Sequence, residues 1–400
     1  MNDVFQAVKI TDHVYWVGAI DWNIRDFHGY RTHRGSTYNA YLVVADHVAL
    51  IDTVKVPFLE EMFARIASIV DPSKIRYIIS HHAEMDHSGG LPAAMERIKP
   101  ERLFASVMGG KALKAHFDLP GEVTAVKDGE ILSLGNMNLA FHETRMLHWP
   151  DSMASFLDSD RILFSQDAFG MHLATAERFA DEINPEIIEH EAATYFANIL
   201  LPYSRLIETL LDKVGDWGHD IGRIAPDHGP VWRKNPSSIL EQYGRWAAQR
   251  PQAKAIVLYD TMWKSTEKMA RAVAEGVASR GVKVKVLSMA ENHRSDAAFE
   301  ILDSGAIIAG SPTLNNNIFP TMADVMTYLK GLKPLNRVGA AFGSYGWSGE
   351  SISHIQTILS EMKVAIACEP VKCLYVPDRK VLKQCYDLGS CVADVVKKSI

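Results

Sequence analysis

The rhythm of hydrophobic and polar positions changes near residue 250. Before it, short apolar runs over 14–17, 39–44, 47–52, 76–80, 102–105, 137–142, 153–157 and 162–166 predict strands. Segments 57–69 and 91–98 predict helices between them. Strand runs with interspersed helices predict a sheet sandwich with helices outside. A helix over 237–249 closes this part. Arg250-Pro251-Gln252 then breaks the pattern, and a fresh apolar strand opens at 255. From there, strands over 255–259, 282–287, 306–310, 337–342 and 364–371 alternate with helices over 266–279, 295–303, 321–332, 350–362 and 378–397. Such alternation predicts a doubly wound parallel sheet, whose ligands bind beyond the carboxyl ends of the strands. The loops after its first, third and fourth strands are therefore the ones to inspect. The chain reads as α+β followed by α/β, in two domains, 1–250 and 251–400.

Composition narrows the class. The chain has 400 residues, 47% hydrophobic and 22% charged, which suits a folded protein and excludes a disordered one. Charges sum to 42 − 48 = −6, so no basic footprint for nucleic acid or an anionic membrane is present. No apolar run approaches the roughly 18 residues of a membrane span, and the start carries no signal-peptide pattern. The expected location is the cytoplasm. The four cysteines, Cys368, Cys373, Cys385 and Cys391, form no CxxC motif and are expected as buried thiols.

Histidine carries more information. Of 16 histidines, 14 precede residue 230, so a metal or acid–base site belongs to the first part. The run His81-His82-Ala83-Glu84-Met85-Asp86-His87-Ser88-Gly89-Gly90 follows a predicted strand and precedes a predicted helix. On an irregular loop, alternate residues His82, Glu84 and Asp86 can point into one pocket. His148, Asp167 and His228 follow further on, each in a loop or at a strand end, where functional residues concentrate.

In the second part, Thr261-Met262-Trp263-Lys264-Ser265-Thr266 follows the first strand and opens a helix. Its hydroxyls and the free N–H groups of a helix start make an anion cradle. Neither GxGxxG nor a Walker lysine pattern is present, which argues against a dinucleotide or ATP. Ser311-Pro312-Thr313-Leu314-Asn315-Asn316 follows the third strand, and Ser344-Tyr345-Gly346-Trp347-Ser348-Gly349 the fourth. Small residues there admit a planar ring, and Tyr345 or Trp347 can stack on it. The first loop resembles the flavodoxin phosphate loop, S/T-x-T-x-x-T, with Trp263 in place of a hydroxyl. The resemblance implies a flavodoxin-like sheet of strand order 2-1-3-4-5 and bound FMN.

The first part resembles the metallo-β-lactamase superfamily, an αββα sandwich with a two-metal HxHxDH motif. Here the motif reads HxExDH. Glu84 in place of imidazole makes the site harder and more anionic, away from zinc and toward iron or manganese. The resemblance implies His82, Glu84 and His148 on one metal, Asp86, His87 and His228 on the other, and Asp167 between them. Together the two halves resemble the flavodiiron proteins, most closely the rubredoxin:oxygen oxidoreductases. That resemblance implies a diiron site and FMN, reduction of O2 to water or of NO to N2O, and a rubredoxin-like electron donor. It also implies a head-to-tail homodimer or a homotetramer. His28 and Tyr30, in the run Arg25-Asp26-Phe27-His28-Gly29-Tyr30, and His172 and Tyr195 resemble the lining of the substrate pocket. The competing readings are an NO reductase as the main role, a zinc hydrolase, and an electron carrier without catalysis.

Overall fold

The computed structural model describes residues 4–400. The chain divides into two compact units. The first comprises residues 4–27, Thr32–Tyr195 and Arg205–Gly244; the second comprises His28–Arg31, Phe196–Ser204 and Arg245–Ile400.

The first unit holds two main sheets. Seven strands pair in chain order in one: Val8–Lys9, Val14–Trp16, Tyr41–Val43, Val48–Ile51, Ile75–Ile79, Arg102–Ser106 and Val123–Val126. Ile131–Ser133, Asn138–Glu143, Met153–Leu157, Ile162–Gln166 and Arg223–Pro226 form the other. Successive side chains on a strand face opposite ways. Tyr41, Val43, Ala49, Ile51, Tyr77 and Ile79 pack with Phe141, Met153, Leu157 and Phe164 of the second sheet. The alternate residues Leu42, Leu50, Ile78 and Leu103 pack with Leu59, Met62, Phe63, Leu91 and Met95 of two helices, Leu59–Ala67 and Leu91–Ile98. Both faces of the first sheet are therefore covered, so its strands read as continuous apolar runs. This is the αββα layering.

In the second unit, Lys283–Ser288, Gln252–Tyr259, Ser304–Gly310 and Val338–Tyr345 lie side by side, all parallel, giving the order 2-1-3-4. The fifth position is split. Ala365–Ile366 and Val371–Leu374 each pair with Val338–Tyr345, where one strand over 364–371 was expected. Pro370 lies between them and brings no N–H to the ladder. The order is 2-1-3-4-5. Helices Ser265–Ala278 and Arg379–Ser399 cover one face, sharing a core with Ala255, Val257, Tyr259 and Ile308.

Those two helices touch along their backbones. A Cβ on Gly276 would lie 2.0 Å from the Tyr386 carbonyl oxygen, and one on Gly389 would lie 2.0 Å from that of Val273. The expectation of four buried thiols needs correcting here. Cys368 and Cys391 form a disulfide, while Cys373 and Cys385 are free and buried. The loop between the split strands brings Cys368 to within 6.6 Å, Cα to Cα, of Cys391 on the last helix, inside the disulfide range. The 23-residue separation gave no sign of that contact.

One polar cluster sits away from the donors. His142 Nε2 lies 2.8 Å from His219 Nε2, the His142 ring stacks on Trp217 at 3.9 Å, and His219 stacks on Phe156 at 4.1 Å. Burial and the facing His219 push His142 down to about 4, with Lys213 adding to the shift and Asp128 opposing it.

Two predictions follow from this packing. Ala in place of an exposed helical Gly gains about 1 kcal/mol, but Gly389→Ala should cost about 1–3 kcal/mol by overpacking. Urea unfolding decides the sign. Because His142 binds its proton less readily folded than unfolded, stability should fall as pH drops from about 6.5 toward about 4. His142→Phe should flatten that slope in melting curves taken across the window.

Candidate metal centre and flavin loops

Seven donors gather at one end of the two sheets of the first unit. Strand Ile75–Ile79 runs parallel to Val48–Ile51, and its carboxyl end delivers the loop with His81, His82 and Glu84. One helical turn, Met85–Ser88, then carries Asp86 and His87. Parallel strands Ile162–Gln166 and Arg223–Pro226 end at Asp167 and His228. Gln166 and Asp52 leave their strands with φ of 59° and 55°, left-handed values that non-glycine residues rarely adopt. Such backbone strain concentrates at functional sites.

The donors fall into two groups, His82, Glu84, His148 and Asp167 in one and Asp86, His87 and His228 in the other. Within each, the ligand atoms lie within 4.8 Å of one another. Asp167 faces both. Its Oδ2 lies 3.7 Å from His82 Nε2 and 3.2 Å from His148 Nε2. Its Oδ1 lies 3.2 Å from His87 Nε2 and 3.4 Å from His228 Nε2. Glu84 Oε2 stands 3.3 and 3.4 Å from His82 and His148 Nε2, and Asp86 Oδ2 stands 3.4 and 3.1 Å from His87 and His228 Nε2.

This set fits two metal ions. Among the described residues, both oxygens of Asp86 and Asp167 and the Nε2 atoms of His87 and His228 are buried and make no hydrogen bond, despite these short separations. They converge on shared points instead of aiming at one another. A buried polar atom left that way is costly unless a cation binds it. Three carboxylates among four imidazoles suit a hard, redox-active divalent metal.

A second layer orients the first. His228 Nδ1 donates to the Thr37 carbonyl at 2.6 Å, which leaves Nε2 as the lone-pair end. Asp151 Oδ2 accepts from the Ala83 N–H at 2.6 Å and lies 3.1 Å from His82 Nδ1. Asp227 Oδ2 lies 3.6 Å from His87 Nδ1. Burial opposes a charge on His82, but its bonds to Asp151 and Glu84 and the field of Asp167 prevail and raise it to about 9. The same balance, with Asp167 and Glu84 as partners, raises His148 to about 10. With no cation present His82 and His148 favour the protonated form, so metal uptake at these two rings releases protons. His81 belongs to neither group. Its Nδ1 lies 2.7 Å from Asp52 Oδ2 and its Nε2 lies 2.9 Å from Ser155 Oγ, so it ties two strands together.

Of the expected pocket residues, His172 and Tyr195 stand next to the donors. The His172 ring centre is 4.5 Å from that of His228, and Tyr195 is 5.2 Å from His172. His172 Nδ1 lies 2.7 Å from Ser36 Oγ. His28 and Tyr30 lie in the segment that groups with the second unit, Tyr30 fully buried there. Asp151, Asp227, Ser36 and Thr37 had no assigned role from sequence. Asp151 and Asp227 each sit within three residues of a donor histidine, a signal too common to use.

In the second unit the three loops surround a cavity of about 450 Å³, within the usual range for small ligands. Met262, Trp263, Ser265, Pro312, Thr313, Leu314, Asn315, Ser344, Tyr345, Gly346 and Trp347 line it. Tyr375 and Val376 line it too, from beyond the fifth strand, a loop outside those singled out. Thr266 Oγ1 is 2.9 Å from Ser344 Oγ, which joins the first and last loops. The remaining expected residues brace the wall without lining it. Lys264 pairs with Glu267 at 2.9 Å, Ser311 Oγ accepts from the Phe319 N–H, and Asn316 donates to Ser348 Oγ. Gly349 starts the next helix at φ 89°. The Thr261 hydroxyl is buried without a hydrogen-bond partner among the described residues, which suits an anion cradle with an acceptor still to arrive. Trp263 and Trp347 remain 86% and 80% exposed, so two indoles are free to cover a planar ring.

A carboxylate-rich two-metal pocket in a lactamase-like sandwich, followed by a flavodoxin sheet with a ring-sized cavity, defines a two-centre redox enzyme. Comparison with known proteins agrees. Residues 37–229, which contain all seven donors, match the ODP family beta lactamase model, and residues 257–389 match flavodoxin. A nitric oxide reductase of Moorella thermoacetica is 45% identical over 97% of this chain and 98% of its own. The structure of rubredoxin oxygen:oxidoreductase from the anaerobe Desulfovibrio gigas superposes with a TM-score of 0.97 at 42% identity, covering 98% of this chain and 99% of that one. The flavodiiron protein of Giardia intestinalis gives 0.95 at 32% identity, covering 98% and 97%. The chain belongs to the flavodiiron protein family, and it is an oxidoreductase.

Asp151→Asn should weaken metal binding about 10–100-fold by loosening His82. Competition with a chelator measures it, and unchanged affinity would show that His82 needs no such support.

Proposed function

We propose that this chain reduces O2 to water, NO to N2O, or both, at a diiron site fed with electrons through FMN. The observation that carries this reading is Asp167, whose two oxygens face two donor groups, with Glu84 standing where a zinc hydrolase of this fold has histidine. His82, Glu84 and His148 would hold one iron and Asp86, His87 and His228 the other, with Asp167 placed to serve both. The loops at Thr261–Thr266, Ser311–Asn316 and Ser344–Gly349 would hold FMN, the first offering hydroxyls to an anion and the last offering Tyr345 and Trp347 to a flat ring.

Two ferrous ions and reduced FMN store between them the four electrons that O2 reduction to water takes. The chain's own residues do the rest. Glu84, Asp86 and Asp167 set negative charge against the metals. Thr37 and Asp151 keep the rings of His228 and His82 turned the right way. His172 and Tyr195 stand beside His228 as hydrogen-bond donors to a bound diatomic.

The names of the relatives point to rubredoxin, or a carrier like it, as the donor. Among the described residues no helix is long and apolar enough to cross a membrane, which supports a cytoplasmic site of action. A head-to-tail homodimer is the assembly that would bring one copy's flavin to the other's metals.

The test is anaerobic. Protein loaded with iron and FMN and fully reduced is given O2 or NO, and both gases are followed by electrode. O2 loss without peroxide, outpacing NO, identifies an oxygen reductase. Faster NO loss with N2O release makes NO the main substrate. Consumption of neither gas overturns the reading and returns attention to zinc hydrolysis.

A further inference from the structure

The wall beside the metal donors contains a lysine that neither metal group uses. Lys55 is half-buried, with its ammonium 4.1 Å from the ring centre of Phe27 and 4.6 Å from that of Tyr38. It donates to Tyr38 Oη at 2.8 Å, and Tyr38 Oη donates to Asp21 Oδ2 at 3.0 Å. The other oxygen of Asp21 accepts the N–H groups of Asn23 and Ile24, on a turn where Asn23 is exposed. At the inner end, Phe27 stands edge-on to His172 at 5.0 Å and to His228 at 6.3 Å. The Tyr38 ring stands edge-on to His228 at 6.0 Å. A line of exchangeable protons thus runs from a surface turn to the aromatic wall around His228.

The electrostatics suit proton movement. Burial pulls Lys55 below its ordinary range, while Asp86, Asp21 and Glu84 pull the other way without cancelling it. The two aromatic faces support the cation in the meantime. Burial and the neighbouring Asp21 push Tyr38 upward, so its hydroxyl stays neutral and passes protons without holding charge.

We propose that Asp21, Tyr38 and Lys55 form a proton-delivery line into the gas-reducing site, with Lys55 as the last donor. The inference rests on the function proposed above. Reduction of one O2 to two waters takes four electrons, from the external donor through FMN, and four protons. In each transfer the Lys55 ammonium gives one proton to oxygen and becomes an amine. The Asp21 carboxylate then takes up one proton from solvent hydronium and hands it to Tyr38 Oη as Tyr38 gives its own to the amine, so Asp21 returns to the carboxylate and Tyr38 to the neutral hydroxyl. Only N–H and O–H bonds change.

Arginine separates this role from a structural one. Lys55→Arg keeps the cation and its stacking but holds its proton at any working pH. Lys55→Met and Lys55→Arg should both slow O2 turnover about 100-fold, with iron and FMN contents unchanged. Both should also lose the decline in rate that the wild type shows as pH rises past the Lys55 pKa. Methylamine should restore turnover to Lys55→Ala. A second readout needs no turnover. Reductive methylation of the iron- and FMN-loaded wild type, followed by mass spectrometry across pH, should modify Lys55 at lower pH than exposed lysines such as Lys99. Tyr38→Phe should shift that profile. Wild-type turnover in Lys55→Arg, or Lys55 labelling that coincides with Lys99, would overturn the relay. Iron loss in Lys55→Arg would do so too, by making Lys55 a structural cation. A wild type that consumes neither gas would instead overturn the reading of the site.

Discussion

Asp167 is a carboxylate at 1% exposure with imidazoles on both sides. Burying such a charge is expensive unless it is paired and its lone pairs are used. Oδ1 looks at His87 and His228 while Oδ2 looks at His82 and His148, so one side chain ties the two donor groups into one centre. That requirement reaches outward. Thr37 and Asp151 hold the far nitrogens of His228 and His82 at 2.6 and 3.1 Å, and Asp227 faces that of His87 at 3.6 Å. Those residues must in turn be buried, which only a closed sandwich with strand ends at one edge provides.

The second unit is arranged around a different constraint. Its cavity must admit a flat ring and an anion, so the loops above the sheet carry small residues, hydroxyls and exposed indoles. The sheet beneath must then be rigid. Backbone contact between helices Ser265–Ala278 and Arg379–Ser399, at Gly276 and Gly389, and the Cys368–Cys391 bond hold the last helix close to the sheet. The strand Val371–Leu374 leads from that bonded region straight to Tyr375 and Val376 on the cavity wall.

Much of this was legible in the residue pattern. Strands 76–80, 153–157 and 162–166 announce themselves as continuous apolar runs because both faces of a covered sheet are dry. The alternation after 250 predicts a parallel sheet because parallel strands need a crossover, and helices supply it. Strand Arg223–Pro226 and helices Val107–His116 and Pro185–Tyr195 had no such signal. The strand is short, and both helices have weak amphipathic patterning.

By itself, the sequence determined the chemistry on offer: His, Glu and Asp at HxExDH spacing, lone donors at strand ends, and hydroxyl- and glycine-bearing loops after the right strands. These are local properties, since a few neighbouring residues decide both donor type and loop conformation. Only the tertiary structure decided which atoms share a centre, which carboxylate faces both groups, and what stands behind each ring. His82 and Asp151, His228 and Thr37, and Cys368 and Cys391 meet through chain folding, and no spacing rule encodes those encounters. The physical reason is that hydrogen bonds, ion pairs and disulfides act over a few ångströms, whereas the residues that form them are 23 to 191 positions apart.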